Sequence, residues 1–178
     1  EYALGDTVTL LLGREGGVAA VIGALSADES QQVGVVTSVS NSSYPDGKGG
    51  TYQAKTVTLL STDGQTYRYQ TTSSVKEGAL VRAAVDDQGK VTLKGLTSAS
   101  LTGKVNAAGT KLGSHPFAEG AEILDVSDGQ GARIYPSRLA GLELTDSMVK
   151  YHSLNGSGEI ETLVLNDVTG DAYRYGIL

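Results

Sequence analysis

Apolar and polar positions alternate along most of this 178-residue chain. In residues 78–96, GALVRAAVDDQGKVTLKGL, Val81, Ala83 and Val85 alternate with Arg82 and Ala84, and Val91 and Leu93 alternate with Lys90, Thr92 and Lys94. Asp86-Asp87-Gln88-Gly89 supplies turn chemistry between the two runs. Period two on both sides of a glycine turn predicts a β-hairpin with one buried face. The unit occurs twice more, as GDTVTLLLGREGGVAAVIG (5–23) and DSMVKYHSLNGSGEIETLVL (146–165). Hairpins are also predicted at 55–72, around Asp63-Gly64, and at 122–135, around Asp128-Gly129-Gln130. No window shows sustained helical spacing, so long helices are not expected.

Two sets of glycines suggest an internal repeat. The turn glycines Gly16, Gly89 and Gly158 lie 73 and 69 residues apart, and Gly34, Gly103 and Gly176, in strand-like runs, lie 69 and 73 apart. Each period then reads as a leading strand, an Asp-Gly hairpin, a polar crossing (71–77 or 136–141) and a closing hairpin. A competing alignment pairs TYRYQ (66–70) with AYRYG (172–176) but breaks the period. The predicted fold is all-β: two related five-stranded units, each a small barrel or sandwich. The first spans 1–97 and includes the N-terminal hairpin. The second spans 98–178 and includes a C-terminal leading strand. One core is expected from Val57, Leu59, Val81, Val91 and Leu93, the other from Val105, Ile123, Val149, Ile160 and Leu163. Residues 24–32 read as a polar connector, and 41–51, NSSYPDGKGGT, as a loop.

Composition narrows the chemistry. Twenty-four glycines suit many tight turns, and the absence of cysteine removes disulfides and thiolate ligands. A net charge of -6, with no basic cluster, argues against nucleic acid, whose phosphates require cationic partners. No apolar run reaches the roughly 18 residues of a spanning helix, so no membrane insertion is expected. The chain starts at Glu1 without Met, which reads as a mature or excised segment and leaves room for a removed signal sequence.

Candidate catalytic groups are few. Ser73-Ser74-Val75-Lys76 matches SxxK, but the SDN and KTG triplets of that chemistry are absent, which favours a solvated crossing. His115 stands in a turn before Pro116, and His152 on the polar side of a strand beside Lys150, with no partners nearby in sequence. Asp125–Asp128 and Asp167–Asp171 place oxygens near glycines. They are read as plain turns, with surface calcium the alternative, because neither carries the distal Glu of a calcium loop. No catalytic residue, cofactor or metal ligand is therefore assigned.

Tyr67 and Tyr69 share a strand face opposite Arg68, and Tyr173 and Tyr175 repeat the pattern. Such pairs suit strand packing, or stacking on a sugar or peptide. With Tyr44 in the 41–51 loop, they form the expected interaction surface.

The stretches LGDTVTLLLG (4–13) and LNDVTGDAYRYGIL (165–178) resemble recurring segments of uncharacterised secreted proteins of Gram-positive anaerobes. Those proteins often carry S-layer homology domains that hold them on the cell wall, although that motif is not in this chain. The resemblance implies an exported cell-surface protein and no catalytic residue. The expected role is a non-catalytic structural or interaction module of the cell envelope. Its partner would be a cell-wall component or another protein chain; the alternative is a lectin-like glycan-binding module.

Overall fold

The computed structural model describes residues 8–12, 18–23, 31–45, 49–85 and 91–172. Two compact units result, Glu1–Gln31 and Gln32–Leu178. The first holds an antiparallel hairpin of β1 (Val8–Leu12) and β2 (Val18–Gly23), with a register shift between Leu11 and Leu12. Its turn, including Gly16, lies outside the described residues, as do Gly89 and Gly176.

The second unit carries two five-stranded sheets, one on each side of Thr97 in the chain. The first sheet comprises β3 (Gln31–Pro45), β4 (Thr51–Ser61), β5 (Thr66–Thr71), β6 (Leu80–Val85) and β7 (Val91–Gly95), in the order β5-β4-β3-β6-β7. Residues 41–45 and Thr51, expected in a loop, belong to β3 and β4 instead. Their register runs from Asn41↔Lys55 to Pro45↔Thr51. Composition misled here because this end of the hairpin extends past the last β4–β5 pair, Lys55↔Thr71. Polar residues tolerate strand geometry where little surface is buried.

Val33 and Val35 lie on one face of β3, and Val36 on the other. A register shift between Val36 and Ser38 then returns Val39 to the Val36 face, which strict alternation would not allow. Val36, Val57, Leu59, Val81, Ala83 and Leu93 form the core on that side, with Val91 packed against it. The sheet curls enough for its two edges to meet. Thr71 Oγ1 donates to the Val91 carbonyl at 2.9 Å, and the Leu93 N–H donates to Ser73 Oγ at 3.0 Å. Side-chain hydroxyls thus take the place of a backbone ladder between β5 and β7.

The second sheet contains β10 (His115–Ser127), β11 (Gln130–Ile134), β13 (Val149–Leu154) and β14 (Ile160–Asn166), in the order β11-β10-β14-β13, with β9 (Lys111–Leu112) added to β10. The β10–β11 turn is two residues, Asp128 (φ 47) and Gly129 (φ 76). Left-handed backbone at both positions matches the twist of the strands. The leading strand expected here shrinks to β8 (Gly103–Lys104), which pairs with β12 (Glu143–Leu144) outside the sheet. Instead β10 and β14 pair in parallel. Hairpin, crossing and hairpin follow one another in both segments, but β9 and β12 have no counterpart in the first and the pairing differs.

The expected second core is present: Val105, Ile123, Val149, Ile160 and Leu163 share one buried cluster with Leu112, Leu139, Leu144 and Leu165. A third cluster, not foreseen from the sequence, joins the sheets. Val33, Val35 and Leu60 meet Leu124, Val126, Tyr151 and Val164. Thr62 Oγ1 donates to Glu122 Oε2 at 2.6 Å across the same seam. Among the described residues the longest helical segment is the 3₁₀ turn Pro136–Leu139, on the crossing expected at 136–141.

Candidate functional site

The strongest constellation lies where the parallel strands β10 and β14 end. Parallel pairing sets Asp125 opposite Leu165 and Val126 opposite Asn166, so the segments following the two strands emerge together. The Asp125 side chain is fully buried. Its carboxylate accepts the Val168 N–H at 3.0 Å, the Thr169 N–H at 2.7 Å and the Thr169 hydroxyl at 2.7 Å. The Asp167 N–H donates to the Val126 carbonyl at 2.9 Å. Both candidate calcium stretches therefore meet, but Asp125 faces hydrogen-bond donors. A cation there would displace the donors that satisfy a buried carboxylate. Among the described residues no cluster of three or more acidic or histidine side chains is arranged to hold a metal.

The loop anchored by Asp125 presents Asp171. The Asp171 N–H donates to Thr169 Oγ1 at 3.3 Å. The Asp171 carboxylate receives Arg138 Nε at 2.7 Å and Nη2 at 2.9 Å, a bidentate pair. These bonds hold the Asp171 carboxyl below the usual carboxylate range, and they raise the Arg138 guanidinium above its own. Arg138 lies within the 3₁₀ turn, and its backbone N–H donates to the Tyr135 carbonyl at 2.9 Å.

Tyr135 is 71% exposed, well above any other exposed large hydrophobic residue described. The chain places it there for local reasons. Ile134 before it is buried, and Pro136 after it restricts it to extended backbone, observed at φ -99, ψ 153. A shallow depression results, lined by Arg133, Ile134, Tyr135, Ser137, Arg138 and Asp171. Gly109 (φ +67) approaches the Ser137 backbone so closely that a Cβ there would lie 2.7 Å from Ser137 Cα. Sequence reasoning overlooked this site. Its signal was a tyrosine before proline in Ile134-Tyr135-Pro136-Ser137-Arg138, where the ring cannot follow the strand inward.

The residues singled out from the sequence are dispersed. Tyr67 and Tyr69 stack with ring centroids 5.9 Å apart and 2° between planes, but they are half-buried against the core of the curled sheet. The Tyr67 hydroxyl donates to Asp63 Oδ2 at 2.6 Å. Burial, aided by that bond, raises the Tyr67 pKa. Burial, with the Asp63 charge adding, pushes Tyr69 up to about 12. The Tyr69 hydroxyl is buried without a hydrogen-bond partner among the described residues. Arg68 is exposed on the opposite face. Tyr44 lies on β3 opposite Tyr52, and Tyr173 and Tyr175 fall outside the described residues.

The remaining reactive groups hold backbone. Ser73 Oγ accepts the Leu93 N–H and lies 3.1 Å from Thr71 Oγ1. His115 Nδ1 meets the Gly158 carbonyl at 3.1 Å, and His152 Nδ1 meets the Ala99 carbonyl at 2.9 Å. A carbonyl only accepts, so each Nδ1 carries the proton. Compared with family models, curated proteins and solved structures, the chain matches none.

Proposed function

We propose that the chain is a non-catalytic interaction module of an exported cell-envelope protein. One observation carries the reading. The side chains that chemistry would recruit, Ser73, His115, His152 and Asp125, are each engaged in bonds that hold the fold. Each histidine keeps its Nε2 lone pair, but a catalytic group also needs partners that converge in a pocket, and these four are held at separate backbone sites, at Leu93, Gly158, Ala99 and Val168–Thr169. The proposal extends to the repeat: the shared order of hairpin, crossing and hairpin fits two related units that diverged in strand pairing. Its cell-surface location rests on the resemblance of residues 4–13 and 165–178 to secreted proteins.

The test is co-sedimentation of the purified chain with isolated Gram-positive cell walls, alongside sedimentation velocity from about 1 to 100 μM, the range of modest affinities. Saturable retention on walls, or reversible self-association, supports the module. Monodisperse chain left wholly in the supernatant overturns it.

A further inference from the structure

We propose that the depression around Tyr135 is a saccharide-binding subsite, an inference that rests on the chain being a binding module and names its ligand class. The chemistry required to hold a sugar ring is an exposed aromatic face for its C–H groups, and beside it charged planar groups for its hydroxyls. Tyr135 supplies the first at 71% exposure. The Arg138–Asp171 pair, with Ser137 between Tyr135 and Arg138 in the chain, supplies the second. Each Asp171 oxygen accepts one bond from Arg138, so each keeps a lone pair for a sugar hydroxyl.

Hydrogen bonds link the arrangement before any ligand arrives. Asp125, buried and holding three donors, bonds Thr169; Thr169 bonds Asp171; Asp171 bonds Arg138; and the Arg138 N–H holds the Tyr135 carbonyl. Gly109 packs directly against the Ser137 backbone. Structural needs alone do not call for this series to end at an uncovered tyrosine. Preorganised polar groups lose little freedom on binding, which is what a shallow site needs to gain affinity. The site is distinct from Tyr67 and Tyr69, which pack into the curled sheet.

The experiment is a ¹H–¹⁵N chemical-shift titration of the full chain with three probes: chitotetraose, xylotetraose and tetragalacturonate. Each is raised to about 10 mM, which covers millimolar affinities. At least one probe should give saturable shifts centred on the amides of Ser137, Arg138 and Asp171. Tyr135→Ala should weaken that binding at least about tenfold, and Tyr135→Phe should retain it, because stacking needs the ring and not the hydroxyl. Tyr135 is exposed, so all variants should melt with wild type. No saturable shift with any probe overturns the proposal, as does binding unchanged in Tyr135→Ala or centred elsewhere. Wall retention without saccharide shifts would overturn the subsite alone and leave the module standing.

Discussion

The two five-stranded sheets begin from the same order of hairpin, crossing and hairpin and are assembled differently. In the first, β3 is long and has apolar residues on both faces, so it sits at the centre between β4 and β6. In the second, the strand expected in that place, β8, is only Gly103-Lys104, where Gly103 has φ +136. The centre passes to β10 and β14. Both carry four consecutive buried residues, Ile123 to Val126 and Thr162 to Leu165. Strands buried on both faces become central, and parallel pairing is normally confined to such strands. The difference has a functional side: the parallel pair brings the C-terminal ends of two strands together, and the Asp125–Thr169–Asp171–Arg138 series is built there.

The largest test of that contrast removes the buried carboxylate. Asp125→Ala leaves the Val168 and Thr169 N–H groups without their acceptor and should cost about 3–5 kcal/mol in urea unfolding. A loss under about 1 kcal/mol would show that the parallel end of the second sheet does not depend on it.

Next come the paired glycines. A Cβ on Gly34 would lie 2.3 Å from the Leu60 carbonyl oxygen, whereas one on Gly103 would meet nothing closer than 3.5 Å. Gly34→Ala should cost about 3 kcal/mol by forcing β3 from β4, and Gly103→Ala about 1–2 kcal/mol from its backbone conformation alone. Equal costs at both sites would argue that the two glycines share one structural job after all.

The smallest effects separate the stacked tyrosines of the first sheet. Tyr67→Phe loses the bond to Asp63 and should cost about 1 kcal/mol. Tyr69→Phe removes a buried, unpartnered hydroxyl and should be neutral or slightly stabilising in thermal melts. The pH dependence has a definite sign. Tyr69 titrates near 10 when unfolded and about 12 when folded, so the folded state favours its neutral form. Its contribution is complete below pH 10 and is lost as pH rises from 10 towards 12. The melting temperature should fall across that window, and the fall should be smaller in Tyr69→Phe. An identical fall in both proteins would place the alkaline sensitivity elsewhere.

Period-two alternation in the sequence determined the strands and their partners within each hairpin. All ten residues expected in the two cores pack where alternation put them, nine buried and Val91 packed at the edge. Such features are local, because a strand's facing is set by its own pattern and a tight turn by its own glycine. The central strands of the second sheet, in EILDVS and ETLVLN, read in the sequence as halves of alternating hairpins, whereas each buries four consecutive residues, Asp125 and Thr162 among them. Tertiary structure alone decided which hairpins lie side by side. That choice depends on how much apolar face each pairing buries over long sequence separations. The seam of Val33, Val35 and Leu60 against Leu124, Val126 and Val164 exists only after that choice. So does the site at Tyr135. Its members, Arg133 to Arg138 and Asp171, are adjacent because β10 and β14 run parallel.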